Sequence, residues 1–97
     1  MKTIRLLRPA QRELDEAIAY YESQLPGLGR AFLKEFLSGT ARIQFFPEAW
    51  HPFSKNTRRC LLRRFPYGVI YSIEPAEILI IAVAHLHRKP GYWQDRS

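Results

Sequence analysis

Four arginines fall within residues 58–64: Arg58, Arg59, Arg63 and Arg64. A planar guanidinium can grip a phosphate or carboxylate with two parallel hydrogen bonds. On a strand, Arg59 and Arg63 point to one face and Arg58 and Arg64 to the other. The plainer reading is that charge guards a sheet edge against unwanted pairing. Four arginines exceed what an edge needs, so Arg59 or Arg63 is expected to meet an anionic partner.

A second cluster, His85-Leu86-His87-Arg88-Lys89-Pro90-Gly91-Tyr92-Trp93, follows the most apolar run of the chain. Histidine moves a proton near neutral pH, so His85 or His87 could act as general base or acid. The alternative is an ordinary hydrogen-bonded histidine, and it suits His85 better than His87. Two histidines without a nearby Asp, Glu or Cys make a poor zinc site, so no metal and no cofactor are expected. A cation beside a tight turn and two aromatics could clamp a nucleotide, with phosphate on Arg88 and base on Tyr92 or Trp93. Against this stands a packed tail, with Trp93 folded back over the sheet. Glu48 and His51 could face the basic surface from a loop, or simply sit in solvent.

The charge is lopsided. Residues 1–49 carry seven Lys/Arg against six Asp/Glu, and residues 50–97 carry eight against three. Such a field suits nucleic acid or an acidic protein, or else serves solubility. The 97 residues, 46% hydrophobic and 25% charged, fit one globular domain. A lone cysteine, Cys60, has no internal partner and fits a reducing compartment, here read as the cytoplasm. Lys2, Arg5 and Arg8 interrupt the start of the chain, so no secretory signal is expected. The apolar run Ile78 to Ala84 is too short to span a bilayer.

The elements that must position these groups can be traced by periodicity. Thr3 to Leu7 reads as a strand. Pro9 suits the first turn of a helix whose face is Leu14, Ile18, Tyr21 and Leu25, stopped by Pro26-Gly27. A second helix carries Phe32, Leu33, Phe36, Leu37, Thr40 and Ile43 and ends near Phe46, before Pro47. The short link makes the pair an antiparallel hairpin. Pro47 to Asn56 reads as a loop. Three strands follow, over 58–64, 67–73 and 78–85, the second with Tyr67, Val69, Tyr71 and Ile73 on one face. The third is apolar on both sides and should be doubly covered. The result is an α+β domain: a strand, a helical hairpin and a three-stranded antiparallel meander, with two helices on one face of a small antiparallel sheet. The other face should stay partly open and rich in arginine.

The stretches AIAYYESQLPGLGRAFLKEF, FPEAWHPF and RRFPYGVIYSIEPAEILIIAVAHLHRKPGYWQDR resemble the RelE/ParE superfamily, toxins of bacterial type II toxin–antitoxin modules. The resemblance covers nearly the whole chain. It implies a helical hairpin on an antiparallel sheet, in agreement with the periodicity. It also implies one of two activities. RelE-like members cleave mRNA on the ribosome; ParE-like members poison DNA gyrase without cutting nucleic acid. An inactive relative kept as a binding module is a third case. For cleavage, the resemblance nominates Arg63, His87 and Tyr92 as catalytic. For target binding it nominates Arg59, Arg63, Arg88, Lys89 and Tyr92. Many ribonuclease members carry arginine after the tyrosine of the third strand, where this chain has Gly68, and a lysine-like position falls on Leu61. These departures move the expectation to the ParE side: gyrase inhibition, neutralised by a small acidic antitoxin, with no membrane partner.

Overall fold

A short strand, β1 (Thr3–Leu6), leads directly into helix α1 (Arg8–Gln24). Pro9 lies in the first turn, where a missing N–H breaks no helical bond. This computed structural model describes residues 1–96. Helix α1 buries Ala10, Glu13, Leu14 and Ala17. Leu25 was expected on this face, but it is 59% exposed. The proline after it disfavours the helical state, and Leu25 takes an extended conformation as the helix stops.

Helix α2 (Leu28–Phe45) buries Phe32, Phe36, Thr40 and Ile43. Leu33 is half-buried, and Leu37 is exposed, outside the stripe expected for it. A Cβ on Gly29 would lie 2.7 Å from the carbonyl oxygen of Ile18, so glycine is what lets the two helices approach. The Glu22 carboxylate accepts hydrogen bonds from the backbone N–H groups of Gly27 and Gly29. This places an anion at the positive end of α2.

Four further strands follow: β2 (Pro52–Ser54), β3 (Thr57–Leu61), β4 (Tyr67–Ile73) and β5 (Glu77–His85). The sheet order is β1-β5-β4-β3-β2. Strand β2 lies in the segment read as loop. It runs opposite to β1, and three antiparallel pairings then return β5 to the direction of β1. The sheet is therefore mostly antiparallel, with β1 pairing in parallel to β5. Strand β3 stops at Leu61 rather than Arg64. There the Leu62 N–H reaches the Tyr67 carbonyl at 2.9 Å, and Glu35 of α2 accepts the Arg63 N–H at 2.8 Å.

One face of the sheet packs against the helices through Val69, Tyr71, Ile78, Ile80 and Val83, which meet Leu14, Phe32, Phe36 and Ile43. Phe32 is fully buried; truncating it to alanine would cost about 3–5 kcal/mol. The Tyr71 hydroxyl donates to the Pro47 carbonyl at 2.6 Å. Burial pushes its phenol up to about 12.

The second face corrects an expectation. It is neither open nor short of apolar side chains: Ile70, Leu79, Ile81, Ala82 and Ala84 line it, and Trp93 covers them. The tail turns back at Gly91, whose φ is +83°. Strand β5 also carries a bulge. Ile70 pairs with Ala82 and Tyr71 with Ile80, leaving Ile81 as an extra residue. Ile81 and Ala82 therefore both join the tail-side cluster, and Val83 returns to the helix side.

Candidate target-binding site

The site grows from a gap in the sheet. Strand β1 ends at Leu6, with one further bond from the Leu7 N–H to the Ile80 carbonyl. Beyond that point the edge of β5 needs other partners. Glu13 of α1 accepts the Val83 N–H at 2.9 Å. Arg96, in the short terminal turn Gln94–Arg96, donates to the Ile81 carbonyl at 3.1 Å. The two side chains pair with each other through two bonds of 2.9 and 3.0 Å. Tyr92 donates its hydroxyl to the same carboxylate at 2.7 Å.

Burial pushes the Glu13 carboxyl up, but hydrogen bonds from Arg96, Tyr92 and the Val83 N–H outweigh it. The group sits below its ordinary value. For Tyr92, burial and the adjoining Glu13 carboxylate both push the phenol far up. Its proton is therefore held between protein atoms and is no ready donor to a leaving group.

On this base stands Arg88. Its guanidinium lies over the Tyr92 ring, 3.8 Å from the centroid. Its contact with Glu13 is long, 3.6 Å, and its side chain is 55% exposed. Across a small cleft, Arg59 lies over the Phe53 ring at 4.2 Å. Phe53 in turn stacks on Trp93, with centroids 5.5 Å apart. Gly68 makes room for this arm: a Cβ there would meet the Cγ and Cδ of Arg59 at 3.0 Å. Ile70, Ala84, Pro90 and Trp93 supply apolar lining between the two arginines. Trp93 is 4% exposed. Its Nε1 is the buried side-chain polar atom without a hydrogen-bond partner among the described residues. Such an orphan costs about 1–3 kcal/mol.

The structure thus gathers Arg59, Arg88 and Tyr92 around one cleft. Arg63 is not among them: it lies past the end of β3, in a turn beside α2. Arg64 lies at that same side, near Lys34 and Glu35. Arg58 donates to the carbonyls of Glu48 and Trp50 and holds the loop before β2. Glu48 and His51 are exposed. Lys89 is exposed in the turn after β5. His85 packs edge-on against Tyr67 at 5.1 Å, and its Nδ1 accepts the His87 N–H at 3.1 Å. His87 is exposed beyond the strand. Of the two readings of the tail, the packed one is formed and the nucleotide clamp is not: Trp93 is buried over the sheet, and Arg88 already covers Tyr92. Glu13, Phe53 and Arg96 complete the site, although no motif singled them out. Among the described residues no helix is long and apolar enough to cross a membrane.

A helical hairpin on one side of a small sheet, with an arginine-flanked cleft on the other, defines a toxin-type domain of the RelE/ParE superfamily. The family described as ParE toxin of type II toxin-antitoxin system, parDE, matches residues 4–90. Toxin ParE2 of Mycobacterium tuberculosis, in two strains, is 31% identical over 91 residues, covering 93% of this chain and 87% of the relative. A chain of the chromosomal ParDE TA system from P. aeruginosa superposes with a TM-score of 0.78. The match covers 90% of this chain and 98% of that one at 16% identity, and it shows the shared fold. The chain belongs to the ParE toxin family, the toxin component of a type II toxin–antitoxin system. An antitoxin is its partner by family.

Proposed function

We propose that this toxin arrests growth by inhibiting DNA gyrase without cutting nucleic acid, and that an acidic antitoxin neutralises it in the cytoplasm. One observation carries the reading beyond the family. The Tyr92 hydroxyl donates to Glu13, while Arg63 lies in a turn beside α2. The acid and the cation that mRNA cleavage would draw on are therefore held apart. Arg59, Arg88 and Lys89 form the surface offered to the target, and their charge speeds encounter with an acidic partner.

Purified protein is expected to block supercoiling by gyrase or to trap cleaved DNA. On induction, a DNA-damage response should rise before protein synthesis falls. Ribosome-dependent loss of mRNA with supercoiling untouched would overturn the reading.

A further inference from the structure

We propose that the cleft between Arg59 and Arg88 receives an acidic segment of the antitoxin, which inserts one apolar side chain and lays a flanking carboxylate across the arginines. The inference rests on the family assignment and not on gyrase as the target. Three features of the cleft select this occupant.

The first is its lining. Ile70, Ala84 and Pro90 present apolar surface, which favours an aliphatic side chain over a phosphate inside the cleft. The second is the state of the aromatic rings. A single-stranded nucleic acid needs bare rings on which bases can stack. Here Phe53 lies between Arg59 and Trp93, and Tyr92 lies under Arg88. The rings are covered by the protein's own groups, so a nucleobase meets guanidinium where it would need an aromatic face. The third is the charge. Each guanidinium carbon lies over a ring, 4.2 Å from the Phe53 centroid for Arg59 and 3.8 Å from the Tyr92 centroid for Arg88. Among the described residues neither guanidinium donates a hydrogen bond, and Arg88 keeps a long ion pair of 3.6 Å with Glu13. The nearest carboxylate, Glu13, already accepts bonds from Arg96, Tyr92 and the Val83 N–H. A planar carboxylate matches a guanidinium in bidentate fashion. A flexible segment that folds on binding can supply an apolar anchor and an acid side by side.

The indole N–H of Trp93 reports on the cleft directly in a nitrogen–proton correlation spectrum of the intact protein. Trp50→Phe distinguishes its signal from that of Trp50, the other tryptophan. The titrant is a blocked tripeptide, Glu-Leu-Asp. Its controls carry Gly for Leu or Lys for both acids, and a single-stranded oligonucleotide is run beside them.

Saturable movement of the Trp93 signal is expected with Glu-Leu-Asp, about tenfold weaker for either control peptide. Arg59→Gln and Arg88→Gln should each weaken binding. Ala84→Leu should fill the cleft and abolish it. If Ala84→Leu does not fold, the two arginine variants decide.

Equal affinity for the leucine and glycine peptides would overturn the proposal, as would a Trp93 signal that does not move. So would an oligonucleotide that binds with the same arginine dependence. A peptide that binds while supercoiling is unaffected would leave this inference standing and remove only the gyrase reading.

Discussion

Glu13 and Arg96 stand 83 positions apart in sequence, yet two hydrogen bonds of 2.9 and 3.0 Å join them over the bare edge of β5. The pair closes what β1 leaves unpaired and anchors the tail that carries Tyr92 and Trp93. Removing one partner of a buried ion pair strands the other and costs about 3–5 kcal/mol. Glu13→Ala is expected to lower stability in urea unfolding by that order. The tail around residues 88–96 should become the first site of protease cleavage.

The same carboxylate sets an acid limit. Its folded pKa lies below the ordinary value of 4.5. Its stabilisation is therefore complete above that pH and is lost as pH falls through the lower folded value. Glu13→Gln should flatten this acid limb of a stability-against-pH curve. At the alkaline end, Tyr71 titrates in the fold at about 12 against an ordinary 10.0. Stability should hold below pH 10 and decline toward 12, with tyrosinate absorbance rising as the protein unfolds.

Tyr92→Phe separates hydroxyl from ring. The variant removes the donor to Glu13 and should cost about 1–3 kcal/mol, read by thermal unfolding. The ring under Arg88 is kept, so gyrase inhibition should persist wherever the protein is folded. A general-acid role would instead require near-complete loss of activity with the fold intact.

Gly29→Ala tests the helical hairpin. The added Cβ has backbone 2.7 Å away, with little freedom to yield. Destabilisation of about 1–3 kcal/mol is expected in a thermal melt, with helix content retained. Gly68→Ala differs in kind, because its neighbour is the flexible stem of Arg59. That variant should fold and shift Arg59 away from Phe53.

Much of the fold was legible because its signals are local. Leu14, Ile18 and Tyr21 mark one helix face, and Tyr67, Val69, Tyr71 and Ile73 alternate as a strand should; all of them pack on the helix-side core. The errors arose where distant contacts decide. Pro52–Ser54 is short and turn-like in composition, and it becomes a strand because β3 pairs with it. Arg63 leaves β3 because Glu35, 28 positions away, accepts its N–H. The two-sided apolarity of residues 78–84 already demanded a second cover. That cover was Trp93, whose return depends on Gly91 and on an ion pair that no local pattern announces. Within the candidate site, Arg59 and Arg88 could be read from residue type. Glu13 could not, since it sits among the acids of an ordinary amphipathic helix.

The bulge at Ile81 fixes the parity of everything after it. Were β5 to pair without the bulge, every residue kept, the two layers beyond it would exchange: Val83 and His85 would turn toward the tail, and Ala82 and Ala84 toward the helices. The whole cleft wall would invert without any side chain being substituted. In this fold the bulge itself therefore decides which residues of β5 reach the site: a relative that shortens β5 by its extra residue should keep the same wall, and one of equal length that straightens the strand should present different chemistry from similar sequence.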